Sequence, residues 1–198
     1  MRKTSIYILL FIFFIVVLLH LNNNECEIVS GNEHIYRGQC LASDYSVSLV
    51  TISNRASYLN SSKKVNASIK DILEILISDA EKDGMCLVVF DAYRSPERQA
   101  ELIELSSEHE IDKIALPYQS EHQTGLAIDF TACPMNNGVR DDSLERLELR
   151  KPFKELPEYD WLVKNSYKYN IEQSFNADNS DVSGYPEEPW HWKFLIKM

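Results

Sequence analysis

The stretch SEHQTGLAIDF, residues 120–130, constrains the fold most strongly, because it brackets an apolar segment with two polar side chains. His122 and Asp129 lie seven residues apart, with Gly125 between them. The apolar residues that follow Gly125 predict a loop leading into a strand. The stretch is therefore either an ordinary strand with polar ends or the source of two ligands of a metal site.

The N-terminus is apolar and sets the expected location of the chain. Arg2 and Lys3 precede an uncharged run over residues 6–19, and no small-residue cleavage pattern follows it. We expect residues 1–21 to form an uncleaved membrane anchor; the alternative is a cleaved signal peptide, which would leave a secreted protein. Positive charge before the run places the N-terminus inside and the remaining chain outside the cytoplasm, in a single-pass arrangement.

Length, charge and cysteines limit the remaining possibilities. A chain of 198 residues suits one domain, and a net charge of −10 argues against nucleic acid as a partner. We expect a linker over residues 22–44 and one domain over residues 45–198. An extracytoplasmic domain can form disulfides. Cys26 and Cys40 could pair with each other, whereas Cys86, in an apolar run, is expected to be a small core residue.

Helix and strand patterns alternate irregularly along the domain. Apolar spacing predicts helices over residues 68–83, 95–105, 142–150 and 158–169, and strands over residues 45–52, 85–90 and 190–196. Ser68 with Asp71, and Ser95 with Pro96, are expected at helix starts, and Gly84 and Asn170 at helix ends. This order predicts the α+β class, with a small, mainly antiparallel sheet flanked by helices.

A third candidate ligand lies near the C-terminus, in the sequence EPWH. Catalytic zinc usually has three protein ligands drawn from imidazole and carboxylate groups. His191 would complete such a set with His122 and Asp129, while Glu188, three residues earlier, could act as a general base. The cysteines show no CxxC spacing, which argues against a thiolate zinc site.

Four motifs together resemble one family of enzymes. SEHQTGLAIDF is similar to the SxHxxGxAxD signature of zinc D-alanyl-D-alanine carboxypeptidases of the VanY type, which include cell-wall L,D-carboxypeptidases. EPWH is similar to the second signature of that family. AYRSPERQ and YDWLVKNSYKYN are similar to two further family segments. The resemblance covers residues 45–198 and implies the zinc peptidase fold shared by D-Ala-D-Ala carboxypeptidases and hedgehog proteins.

The resemblance implies a role for each matched residue. His122, Asp129 and His191 would bind one zinc ion, Glu188 would be the general base, and Arg94 would contact the substrate carbonyl or carboxylate. The remaining matched residues would line the substrate site: Tyr93, Gln99, Ser120 and Trp190. The residues alone leave alternatives open, namely an Arg94 ion pair with Asp91 or Glu97, a solvated Gln99, a turn cap at Ser120 and core packing of Trp190.

Departures from the family pattern fall on the substrate side. Asp91 and Ala92 replace the usual Ser-Gly, Asn170 replaces a glycine, and Glu187 stands where an aromatic residue is common. These changes bear on specificity more than on hydrolysis.

The resemblance implies removal of the terminal D-alanine from peptidoglycan stem peptides or lipid-linked precursors that end in D-Ala-D-Ala. Cell-wall remodelling or glycopeptide resistance would follow from that activity. The alternatives are an L,D-carboxypeptidase for shorter stems, a D,D-dipeptidase, which is disfavoured because its substrate is cytoplasmic, and a non-catalytic wall-binding zinc module.

Overall fold

The central sheet has four antiparallel strands, in the spatial order Leu87–Asp91, Ala127–Ala132, His191–Phe194 and Ile171–Gln173. The computed structural model describes residues 26–58, 61–111, 113–133, 135–136, 139–140 and 152–196. The four strands are β5 (Leu87–Asp91), β6 (Ala127–Ala132), β9 (Ile171–Gln173) and β10 (His191–Phe194). Together with the helices, this sheet confirms the predicted α+β class and its antiparallel character.

Smaller strand pairs and helices surround the central sheet. Three two-stranded pairs are formed by β1 (Glu27–Ile28) with β2 (Gln39–Cys40), β3 (Leu49–Thr51) with β4 (Lys64–Asn66), and β7 (Met135–Asn136) with β8 (Val139–Arg140). In the described part of the chain the α-helices are α1 (Lys70–Lys82), α2 (Pro96–Leu105), α3 (Glu108–Ile111), α4 (Pro157–Asn165) and α5 (Ser180–Ser183).

The main core lies between one face of the sheet and helices α1 and α4. Side chains alternate along a strand, so Ile128 and Phe130 of β6 and Trp192 and Phe194 of β10 face this core. Leu73 and other apolar residues of α1 pack against them. The alternate positions of both strands face the other way, and these positions carry the candidate ligands.

Local signals for helix ends are mostly confirmed. Ser95 caps α2 by accepting a hydrogen bond from Arg98 N, and Pro96 is the first helical residue. Gly84 and Asn170 have φ of 81° and 53°, in the left-handed region that a helix stop requires. The predicted cap at Ser68 is wrong, because Ile69 occupies the cap position of α1 and Ser68 hydrogen-bonds to Asn66.

Several predicted elements differ in extent or lie outside the described residues. The first predicted strand is shorter, over Leu49–Thr51, and the strand Ile171–Gln173 was not predicted. The helix predicted over residues 142–150 and the anchor predicted over residues 1–21 lie outside the described part of the chain. Within the described residues, no helix combines the length and apolar character needed to cross a membrane.

Residues 26–41, which we call the N-terminal clasp, pack against the domain although the sequence suggested a linker there. The clasp contains β1 and β2, and Val29, Ile35 and Leu41 form a small buried cluster. A Cys26–Cys40 disulfide, one of the pairings considered possible, closes it. Its short apolar stretches have no clear period, which is why the sequence alone did not identify it.

The second disulfide joins Cys86 to Cys133, next to the neighbouring strands β5 and β6. The prediction that Cys86 is simply a core residue is therefore wrong, although the residue is buried as expected. Cys133 N also donates a hydrogen bond to Cys86 O, so the two strands are paired up to this point. The 47-residue separation of the two cysteines leaves no local sequence signal for the bond.

Candidate metal centre

Pairing of β6 with β10 brings two of the three predicted ligands together. His191 lies directly opposite Asp129 in the antiparallel register, so both side chains project from the same face of the sheet. The His191 Nδ1 atom lies 3.0 Å from Asp129 Oδ1. Register therefore unites two residues that are 62 positions apart in the sequence.

His122 reaches the same point from the loop that precedes β6. It lies in a 3-10 turn over Glu121–Thr124, which ends at Gly125 with φ of 65°. A Cβ atom at Gly125 would lie 2.8 Å from Asn66 N, so this tight turn requires glycine on two counts. His122 Nε2 lies 3.3 Å from Asp129 Oδ1, and His122 Nδ1 is 2.7 Å from Ala92 O. The second contact fixes the ring so that Nε2 faces the other ligands.

These three side chains form a donor set that fits zinc. Their candidate ligand atoms all lie within 4.8 Å of one another, and all three residues are buried. Two imidazoles and one carboxylate that leave a further position open match a catalytic rather than a structural zinc site. Zinc would be held by His122, Asp129 and His191, as the sequence predicted.

The electrostatics of the centre favour positive charge. Burial alone would lower the pKa of His191, but hydrogen bonds and negative charge from Asp129 and Glu121 raise this pKa to about 10. Burial would raise the pKa of Asp129, yet His122 and His191 hold it below its usual value. Two carboxylates thus impose a negative field on a site with little contact with solvent, and this field also suits a cation.

Glu188 lies at the edge of this centre, outside the group of three ligand atoms. Its Oε2 atom is 3.9 Å from His191 Nδ1, and its side chain is one-fifth exposed. Glu188 N donates to Phe175 O, and Glu188 O accepts from His191 N, so the backbone fixes the position of the carboxylate. Burial raises the pKa of the Glu188 carboxyl. This carboxylate has the position and the environment of a general base.

A cleft of about 180 Å³ opens beside the ligands and contains most of the predicted site residues. Its lining includes the three ligands and the following predicted residues: Arg94, Gln99, Ser120, Glu188 and Trp190. Trp190 is 43% exposed and forms part of the wall, so it does not pack in the core. Ser120 is buried and makes no side-chain cap, which leaves its hydroxyl free of the alternative role as a turn cap.

Arg94 is held in the cleft by two neighbours. Its Nη2 and Nε atoms donate to Asp91 Oδ2 at 2.6 and 3.2 Å, and its Nη1 atom donates to Gln99 Oε1 at 2.8 Å. Gln99 is buried, and its Nε2 atom donates to Ala115 O. The ion pair with Asp91 was one of the two alternatives, and here it coexists with a place in the cleft. Gln99 is not solvated and acts on Arg94 directly.

Tyr93 is the predicted site residue that the structure does not bring to the cleft. It lines a separate cavity of about 390 Å³ with Tyr45 and Tyr118. Successive side chains of an extended segment point to opposite sides, so Tyr93 faces away when Arg94 faces the ligands. A substrate contact for Tyr93 stays a prediction without support from this position.

Sequence reasoning missed two charged residues behind the ligands, Glu121 and Lys193. Both are buried, and Lys193 Nζ lies 3.1 Å from Glu121 Oε1. Burial lowers the pKa of Lys193, whereas Lys193 and the neighbouring histidines hold the pKa of Glu121 well below its usual value. Glu121 lies inside the quoted stretch, but only the fold reveals its charged partner 72 residues away.

Comparisons with known proteins agree with this geometry. The family model described as VanY, D-alanyl-D-alanine carboxypeptidase, matches residues 62–197. A D-alanyl-D-alanine carboxypeptidase of Enterococcus faecalis (strain ATCC 700802 / V583) is 25% identical over 175 residues, which cover 81% of this chain and 57% of that protein. The chain spans about half the length of the curated relatives that it matches, from 45% to 59%.

Two solved structures share the fold. The LdcB LD-carboxypeptidase is 26% identical, with a TM-score of 0.68 over 86% of this chain and 80% of that one. The VanY D,D-pentapeptidase of a VanB-type vancomycin-resistance cassette, solved with Zn(II), is 23% identical, with a TM-score of 0.64 over 84% of this chain and 88% of that one. The expected zinc peptidase fold is thereby confirmed.

Proposed function

The chain belongs to the VanY D-alanyl-D-alanine carboxypeptidase family, and on this premise we propose that it is a zinc-dependent carboxypeptidase. Its substrates are peptidoglycan stem peptides, from which it removes the C-terminal D-alanine. The observation that carries the proposal is the convergence of His122, Asp129 and His191 beside Glu188 in one cleft. Two related proteins described as D-alanyl-D-alanine carboxypeptidases support the substrate class.

The zinc ligands and Glu188 have separate roles in amide hydrolysis. Zinc, when bound by His122, Asp129 and His191, supplies Lewis-acid polarisation of the reacting oxygen atoms. Glu188 takes a proton from the attacking water and passes it to the nitrogen of the departing D-alanine. No covalent intermediate is needed, because water attacks the amide carbon directly.

Arg94 provides the positive charge that orients the substrate. A guanidinium group binds a carboxylate or a developing oxyanion with short, charge-assisted hydrogen bonds. Asp91 accepts hydrogen bonds from Nε and Nη2 of Arg94, and Gln99 accepts one from Nη1, so the orientation of the guanidinium and of its remaining N–H groups is fixed. Ser120 and Trp190 flank the same space, where the terminal residue of a stem peptide fits.

We also propose that the protein acts outside the cytoplasm and is held at the membrane by residues 1–21. Lipid-linked wall precursors would then be substrates as well as mature stem peptides. Two disulfides, Cys26–Cys40 and Cys86–Cys133, support an oxidising compartment. Trimming of D-Ala-D-Ala termini would remodel the wall or remove the target of glycopeptide antibiotics.

A second candidate is L,D-carboxypeptidase activity on shorter stems. The similarity to the LdcB LD-carboxypeptidase, which is 26% identical with a TM-score of 0.68, is the observation behind this alternative. The ion pair between Asp91 and Arg94, at a position where the family pattern has serine, lies on the substrate side of the cleft. Preference for stem length is therefore the property in which we expect this chain to differ most from its relatives.

Mass spectrometry of defined stems tests both candidates. The purified protein is incubated with tripeptide, tetrapeptide and pentapeptide stems, with zinc or with excess chelator. Loss of one D-alanine from the pentapeptide supports the main proposal, and loss from the tetrapeptide alone supports the L,D alternative. A zinc-loaded protein that releases nothing from any stem is a binding module, and the enzyme proposal is then wrong.

A further inference from the structure

Glu121 lies behind the metal centre, where its side chain is fully buried and contacts four groups from two segments, the clasp and β10. Its Oε2 atom is 3.0 Å from His191 Nε2. Its Oε1 atom lies 3.0 Å from Ile35 N, 3.1 Å from His34 Nδ1 and 3.1 Å from Lys193 Nζ. A buried carboxylate needs hydrogen-bond donors or positive charge around it, and three of the four groups around Glu121 belong to residues other than the metal ligands.

The contact with His191 determines which nitrogen of that ring is available to a metal. Each ring nitrogen of His191 lies 3.0 Å from a carboxylate oxygen, Nδ1 from Asp129 and Nε2 from Glu121, and a carboxylate accepts hydrogen bonds but donates none. A metal shared with Asp129 would take the lone pair of Nδ1, so in the metal-bound protein the single ring hydrogen belongs on Nε2, facing Glu121. Nδ1 then carries a lone pair and points at Asp129 Oδ1. Phe175 stacks on the ring with a centroid separation of 5.1 Å and fixes its plane.

We propose that Glu121 is a positioning residue that orients His191 for metal binding, and that the N-terminal clasp is a working part of the metal centre. This inference rests on the proposed zinc site but goes beyond it. The clasp supplies His34 and Ile35 N to Glu121, and Glu33 O accepts a hydrogen bond from Lys193 Nζ. Glu121 transmits these contacts to His191.

A second set of contacts ties the clasp to the wall of the cleft. Arg37 N donates to Ser183 O, and the Arg37 guanidinium lies 5.1 Å from the ring of Tyr185. Tyr185 packs on Phe175, which in turn stacks on His191. The clasp precedes the region matched by the family model, residues 62–197, so a protein shortened to that region would lack this support.

Zinc affinity of Glu121→Gln tests the positioning role without relying on turnover. The glutamine amide has one oxygen, whereas both carboxylate oxygens of Glu121 have neighbours. If that oxygen stays with the three groups at the Oε1 position, the amide NH2 group faces His191 Nε2. That arrangement would place the ring hydrogen on Nδ1, where the metal binds. Competition with a chromophoric chelator should show zinc binding weakened about 10–100-fold. Glu172→Gln is the matched control, since Glu172 lies 3.6 Å from His34 and is mostly exposed.

The two disulfides provide a second test that separates the clasp from general stability. Replacing Cys26 and Cys40 together by serine should weaken zinc binding, because this bond closes the clasp. Replacing Cys86 and Cys133 should lower the unfolding midpoint and leave zinc affinity of the folded protein within about threefold. Equal zinc affinity in both double variants and the wild type overturns the role of the clasp.

Nitrogen-15 NMR of His191 in the wild-type protein gives a result even if Glu121→Gln does not fold. The Nε2–H tautomer is expected in the zinc-loaded protein, and an Nδ1–H tautomer overturns the inference. Normal zinc binding by Glu121→Gln also overturns the inference while leaving the proposed function intact. A wild-type protein that binds no zinc overturns the proposed function first and this inference with it.

Discussion

Replacement of Glu188 by glutamine should separate proton transfer from metal binding. Glu188 Oε2 is 3.9 Å from His191 Nδ1, too far for a hydrogen bond, and the residue is not part of the converging ligand group. Its backbone contacts with Phe175 and His191 do not involve the side chain. Glutamine has nearly the same shape, so the variant should keep the fold and the cleft while it loses the base.

The expected fall in kcat can be calculated from the loss of general base catalysis alone. General base catalysis contributes about 10²–10⁴-fold, and each tenfold corresponds to about 1.4 kcal/mol of activation free energy. We expect kcat on the preferred stem to fall about 10³-fold, or about 4 kcal/mol. The zinc dissociation constant should change by less than about threefold, since no ligand atom is altered.

The assay combines D-alanine release under saturating stem peptide with chelator competition on the same preparation. Glu101→Gln is the matched control: Glu101 pairs with Arg98 at 2.8 Å on the exposed face of α2, and the variant should retain wild-type kcat. Two results would refute the reasoning about Glu188. One is loss of zinc along with activity, which would make Glu188 a ligand, and the other is a kcat within tenfold of wild type.

Three further predictions concern the substrate, the metal and the fold. Arg94→Lys removes the guanidinium group that hydrogen-bonds to both Asp91 and Gln99, so KM should rise about 10–100-fold. Arg98→Lys, on the exposed face of α2, should leave KM unchanged. Equal KM values in the two variants would show that the Arg94 guanidinium does not bind the substrate. Excess chelator should abolish D-alanine release and lower the thermal unfolding midpoint, because a ligand at 1,000 times its dissociation constant stabilises the folded state by about 4 kcal/mol. Added zinc should restore both properties. D-alanine release in the presence of chelator would contradict a zinc enzyme. Gly84→Ala and Gly125→Ala both place alanine at positive φ, and this strain should lower the free energy of unfolding by about 1–2 kcal/mol in each variant. Gly125→Ala should lose about 1–3 kcal/mol more, because its Cβ atom would lie 2.8 Å from Asn66 N. Equal losses in urea unfolding would contradict the close approach.

Local chemistry explains which structural features could be predicted from the sequence. The start of α2 at Ser95 and Pro96 and the left-handed stops at Gly84 and Asn170 depend on residues within a few positions of each other. The three candidate ligands and Glu188 could be named from the sequence because each lies in a short motif, and the order of the motifs limited the choice. Their mutual distances required the register of β6 and β10.

Long-range pairing explains what the sequence did not reveal. Cys86 and Cys133 pair because β5 and β6 are neighbours, and neither cysteine has a sequence context that indicates its partner. Glu121 and Lys193 are both charged residues that a local pattern assigns to the surface, yet they are buried as a pair. The clasp was taken for a linker because its buried residues, such as Ile35, are isolated in polar sequence.

The position of His191 opposite Asp129 has a consequence for how this chain can change over evolutionary time. Strand pairing, not chain length, sets the distance between these two residues, so an insertion between β6 and β10 leaves the ligand pair intact where it spares the pairing and the segments that carry Phe175 and Glu188. A slip of one residue in the pairing would turn His191 to the opposite face of the sheet and separate it from Asp129. The geometry of the ligand pair therefore depends on the alignment of three residue pairs across β6 and β10 and not on the number of residues that separate the two strands.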